Sequence, residues 1–109
     1  MAYDAVLAER IRRLVVKNSS VAELKMFGGL CFTSKGHMCF GVVGEELMVR
    51  VGPDAWSDSL ERPFTREMDF TGRSMKGMVY VAAEGIDDDA ALSAWLDRGL
   101  EFTATLPPK

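Results

Sequence analysis

Hydrophobic positions along this chain follow two periods in turn. Leu7, Ile11, Leu14 and Val15 stand at i, i+4, i+7 and i+8, the spacing of one buried helical stripe. Asp4 is placed to cap that helix, and Asn18-Ser19-Ser20 ends it with residues that favour turns. The period then shortens to two. Residues 23–27 lead through Gly28-Gly29 into residues 30–33, and a glycine pair inside apolar sequence predicts a bulge, a bend or a close backbone approach. Ser34-Lys35-Gly36 reads as a hairpin turn, with residues 37–43 as the return strand. After Gly44-Glu45-Glu46, Leu47, Val49 and Val51 alternate with Met48 and Arg50. Gly52-Pro53 opens a short helix whose Trp56 and Leu60 lie one turn apart. Two further strands follow. Met68 and Phe70 alternate with Glu67 and Asp69, and in residues 75–81 Met75, Gly77, Val79 and Val81 alternate with Lys76, Met78 and Tyr80. The helical period returns near the C-terminus. Asp87-Asp88-Asp89 complements a helix dipole, and Leu92, Trp95, Leu96, Gly99 and Leu100 form its stripe.

The short turns require antiparallel neighbours, because parallel strands need long crossovers. The two amphipathic helices must bury their stripes, and one sheet face is the place for both. The expectation is an α+β fold of two layers: an antiparallel sheet of about five strands with the N- and C-terminal helices packed on one face. The 109 residues fit a single domain, 1–109, with no internal repeat or linker. No apolar run reaches the roughly 20 residues of a membrane helix. The first residues, Met1-Ala2-Tyr3-Asp4, lack the basic and apolar regions of a secretory signal, so a cytoplasmic setting is expected. Sixteen acidic residues outnumber 13 basic ones, giving a net charge of −3. Duplex binding draws on Lys and Arg against phosphate, so that charge disfavours a dominant nucleic-acid role.

Few residues offer chemistry. Cys31, His37 and Cys39 fall on one strand face by alternation, but they supply no more than three of the four ligands a structural zinc needs. A nucleophilic thiol needs an oriented base, and no orienting acid accompanies His37. A three-residue loop at 34–36 would set Cys31 directly opposite Cys39, at a spacing slightly too long for an unstrained disulfide, and a cytosolic setting opposes oxidation. The glycines match no phosphate-binding spacing. Turn chemistry and helix dipoles account for the paired carboxylates. The reading is therefore a non-catalytic domain with no metal and no cofactor. Basic residues remain: Lys25, Arg50, Arg66, Arg73 and Lys76 fall on strands or strand ends. With Phe27 and Phe70 beside them, they form a candidate contact surface on the sheet face left open by the helices.

Several stretches resemble the N-terminal domain of the TfoX/Sxy competence regulators: Lys25-Met26-Phe27-Gly28-Gly29, Arg50-Val51-Gly52, residues 68–73, Met75-Lys76-Gly77 with Tyr80-Val81, and Trp95-Leu96 with Gly99-Leu100. That resemblance spans most of the chain. It implies a two-layer α+β fold, a bacterial cytoplasmic setting, and regulation of DNA-uptake genes through contact with another protein. It brings no catalytic residues. Regulators of that family carry a second, C-terminal domain, whereas this sequence ends at Lys109. The leading expectation is a regulatory protein-interaction module. Nucleic-acid binding or small-ligand sensing by the same basic patch is the alternative. Antiparallel sheets also leave edges that invite pairing, so a second copy is a further candidate partner.

Overall fold

The computed structural model describes residues 3–26, 29–70 and 73–107, with side chains throughout except at residues 26, 68–70 and 73–76. The elements run α1 (Ala5–Val15), β1 (Val21–Met26), β2 (Gly29–Ser34), β3 (His37–Val43), β4 (Glu46–Arg50), α2 (Pro53–Leu60), β5 (Thr65–Phe70) and β6 (Arg73–Val81). A 3-10 turn (Ala83–Ile86) then leads into α3 (Asp89–Ala104). The strands form one antiparallel sheet in the order β1-β2-β3-β4-β6-β5.

The two-layer α+β expectation holds, with six strands instead of five. The difference arises at the glycine pair. Met26 and Gly29 are cross-strand partners, so the chain reverses there instead of bending, and one expected strand becomes the hairpin β1–β2. Phe27 and Gly28 themselves lie outside the described residues.

One sheet face is apolar and carries the helices. Leu30 and Phe32 of β2, Phe40 and Val42 of β3, Leu47 and Val49 of β4, and Val79 and Val81 of β6 are buried there. They meet Leu7, Ala8 and Ile11 of α1 and Leu92, Trp95 and Leu96 of α3. Ala55, Trp56 and Leu60 bring α2 against the same core. The Trp56 indole N–H donates to the Met78 carbonyl at 3.0 Å, which fixes α2 over β6. The stripe of α1 is rotated from its expected centre. Ala8 is fully buried beside Leu7 and Ile11, and Leu14 sits at the margin, 40% exposed.

Both long helices start as the sequence predicts. The Asp4 carboxylate accepts from the amides of Val6 (2.9 Å) and Leu7 (3.2 Å), and Asp88 accepts from Ala91 at 2.7 Å. Each satisfies amides that lack an intrahelical partner. Among the described residues, no helix is long and apolar enough to cross a membrane.

Helix α3 comes close to the sheet at Gly99. A Cβ there would lie 2.8 Å from the Cys39 carbonyl oxygen and 3.2 Å from the Phe40 ring. Alanine is favoured over glycine inside a helix by about 1 kcal/mol. Overpacking against a backbone atom costs about 1–3 kcal/mol, so the clash decides the sign. Gly99→Ala is expected to lower the urea midpoint of unfolding by the equivalent of about 1 kcal/mol; a raised midpoint would show that the helix layer can lift without loss.

Candidate functional site

The sheet face turned away from the helices is built by the alternate residues of the same strands. Cross-strand register places Cys31 against Gly41, Gly41 against Met48, and Met48 against Tyr80. Cys31, Met48, Met78 and Tyr80 pack into a small second cluster, with Met38 and Val43 at its margin. Two guanidinium groups flank it. Arg66 of β5 lies opposite Tyr80, its Cζ 4.3 Å from the ring centroid, and it also pairs with Glu46 on β4. Arg50 of β4 lies opposite Met78 and reaches the end of the sheet, where its Cζ is 5.3 Å from the Phe102 ring of α3. Both contacts are of the cation–π kind.

The remaining candidate residues are placed differently. Lys25 pairs with Leu30, whose side chain belongs to the helix-side core, so alternation sets Lys25 on the opposite face from Arg50 and Arg66. It is exposed on β1, the edge strand, three positions from β4 in the sheet. Phe27 lies outside the described residues. The main chains of Phe70, Arg73 and Lys76 run in the hairpin β5–β6, with Phe70 opposite Arg73, while their side chains lie outside the described residues. Arg50 and Arg66 are therefore the two candidates whose side chains are described on a common face.

Two of the sequence stretches meet at the edge of this face. The amides of Val51 (2.8 Å) and Gly52 (3.1 Å) both donate to the carbonyl of Gly77. Gly52 and Gly77 have φ of +85° and +94°, a backbone region in which a side chain is strained. Their junction, with Met38, Arg50, Met78 and Phe102, lines a cleft of about 350 Å³. Met48, Met78, Tyr80 and Phe102 are contributors that sequence reasoning did not name. The alternation in residues 75–81 already separates Met78 and Tyr80 from Val79 and Val81, and that was the available signal for Tyr80. Phe102 had none, because its place depends on how α3 crosses the sheet.

The cysteines differ from the sequence expectation. The hairpin turn has two residues, Lys35 and Gly36, and Ser34 pairs with His37. The register then shifts: Phe32 opposes Phe40 and Thr33 opposes Met38, which leaves Cys39 as the extra residue of a bulge. Cys39 consequently faces the helices, with Sγ 3.5 Å from the Thr103 hydroxyl, whereas Cys31 faces the other way with Sγ 3.9 Å from Met38 Sδ. The two thiols stand on opposite sides of the sheet and are free. His37 Nε2 is hydrogen-bonded to the Pro107 carbonyl; a carbonyl can only accept, so this nitrogen carries a proton. Among the described residues, no three His, Cys, Asp or Glu side chains gather as metal ligands.

Burial pushes the Cys39 thiol up to about 11, partly offset by its Thr103 hydrogen bond and by the charge of Arg50; burial also raises Cys31. Neither is a thiolate at neutral pH, so neither is poised as a nucleophile.

Together these features define a small α+β domain with a helix-covered core and a second face bearing guanidinium groups on an apolar floor. The sequence matches the TfoX N-terminal domain family over residues 14–103, and the chain belongs to that family. No curated protein and no solved structure gives a significant match to it.

The thiol environment has measurable consequences. Native protein is expected to react with Ellman's reagent at neutral pH orders of magnitude more slowly than the denatured chain. Between pH 9 and about 11 the unfolded Cys39 loses its proton before the folded one, so stability falls as pH rises through that window. The loss is on the order of 2 kcal/mol, from a shift near two pH units. Urea titrations should show this component removed in Cys39→Ala; an identical pH dependence in both proteins would refute the assignment.

Proposed function

We propose that this chain is a non-catalytic regulatory module that recognises another protein, in a bacterial cytoplasm, and acts on the expression of competence genes. Family membership supports the regulatory reading. One structural observation carries the surface: Arg50 and Arg66 flank the Met48, Met78 and Tyr80 cluster on the sheet face away from the helices. Guanidinium groups over an apolar and aromatic floor suit a partner that presents carboxylates beside hydrophobic side chains. Arg is a favoured anchor in protein interfaces because it combines planar donors with stacking. Phe70, Arg73 and Lys76, from the hairpin next to β4, would extend this surface, whereas Lys25, on the helix-side face of β1, would not.

The buried, protonated thiols favour binding over catalysis, since the two nucleophilic sulfurs are held in their unreactive form. Because rim charges are screened by salt, capture of the partner should weaken as ionic strength rises.

Affinity capture from bacterial extract tests the proposal. An Arg50→Ala, Arg73→Ala double variant is expected to retain its fold and to lose roughly tenfold or more in recovery of its specific partner, as for removal of interface arginines. Recovery equal to that of the unaltered protein would count against this surface.

A further inference from the structure

The sheet has two edges, and they are unlike. At β5 the pairing with β6 is irregular, with a register shift between Glu67 and Asp69. At β1 the pairing with β2 is unbroken from Val21↔Ser34 to Met26↔Gly29, and among the described residues no strand covers its outer side. A regular uncovered edge is the kind that accepts another strand. Leu24 stands in the middle of β1, 50% exposed.

Hydrogen-bond alternation shows which backbone groups are available. The Lys35 amide donates to the Ser20 carbonyl, so the even-numbered residues of this segment are those bonded toward β2. The amides and carbonyls of Glu23 and Lys25 therefore point outward. The Val21 amide is already taken by the Asn18 carbonyl at 3.2 Å.

We propose that the occupant of this edge is a second copy of the chain, added antiparallel about a two-fold axis that passes through Leu24 and makes one continuous sheet of both. The choice of register follows from charge. Such an axis keeps the faces of the two sheets aligned, so each residue must oppose one of its own parity. Centring at Glu23 or at Lys25 sets like charges against each other. Centring at Leu24 sets Glu23 against the partner's Lys25, twice by symmetry, with Leu24 against the partner's Leu24. In that register the outward-pointing Glu23 and Lys25 backbones are hydrogen-bonding pairs, as the alternation requires.

The environment of Glu23 favours this arrangement. Arg12 of α1 donates to both its carboxylate oxygens at 2.9 Å and also pairs with Glu9. Those two carboxylates raise the Arg12 pKa further, Glu23 acting most strongly. Glu23 is thus held in place on the helix-side face, where the partner's Lys25 would arrive. Val16, 75% exposed at the end of α1, and Val21 line a groove beside the same edge and would extend the contact beyond the strands. The edge lies three strands from Arg50, so dimer formation and capture of another protein are separable outcomes.

Sedimentation equilibrium and cross-linking test the proposal together. The protein is expected to reach twice its 12.0 kDa chain mass within the micromolar range. Lys25→Glu should weaken the dimer roughly tenfold or more by opposing like charges at two symmetric positions, without touching the Arg12–Glu23 pair. Adding Glu23→Lys to that variant should restore it, as should mixing the two single variants. Leu24→Cys should give a disulfide-linked dimer on mild oxidation, because self-opposed residues in a non-hydrogen-bonded pair bring their Cβ atoms together. All positions are exposed, so circular dichroism should confirm folded variants. A mass of one chain at every concentration would overturn the proposal. So would a dimer indifferent to Lys25→Glu whose Leu24→Cys chains fail to cross-link.

Discussion

The distance between the helix layer and the sheet is set where the Gly99 backbone of α3 meets the Cys39 carbonyl of β3. With no Cβ at that point, α3 settles low enough for Leu92, Trp95 and Leu96 to reach the centre of the sheet. The burial of Phe32, Phe40 and Val49 depends on that depth. So does the position of Phe102, which closes over the end of β4 because the helix carrying it lies so near. The Thr103 hydroxyl completes the contact: it donates back to the Gly99 carbonyl at 3.1 Å and approaches the Cys39 sulfur. Interiors packed this tightly tolerate little change in volume at the points of closest approach.

Periodicity made most of the architecture legible. The helical stripes, the caps at Asp4 and Asp88, the proline that opens α2 and the alternation along β4 and residues 78–81 of β6 all follow from local rules, and the structure contains each of them. What periodicity could not supply was register. Gly28-Gly29 carries the same local signal whether the chain bends or reverses, and only the pairing of Met26 with Gly29 decides between them. The bulge at Cys39 is a similar case. One unpaired residue turned that side chain to the opposite face, and nothing in the composition of residues 37–43 marks where the extra residue falls. The buried stripe of α1 includes the small Ala8 and leaves Leu14 at its margin, a centring that the spacing of the large apolar residues alone does not show.

The candidate site was legible in part for the same reason. Arg50 and Arg66 share a face because their strands flank β6 in compatible register, a relation that depends on β5 lying outside β6. Lys25 has the same residue type and a comparable strand position, yet its register turns it to the helix side. The stretches Arg50-Val51-Gly52 and Met75-Lys76-Gly77 look unrelated along the chain. In the fold they form one junction, with the Gly77 carbonyl accepting from both Val51 and Gly52. Their glycines are explained by backbone conformation, and Arg50 beside them lies over the Phe102 ring.

Placing one sulfur in each layer gives the molecule a pair of native reporters with distinct jurisdictions. Cys39 can be modified only when α3 lifts from the sheet, whereas Cys31 can be modified only when the methionine-lined opposite face opens. Isotope-coded thiol labelling of the unaltered chain would therefore resolve which layer breathes first, and whether a bound partner quiets one side alone.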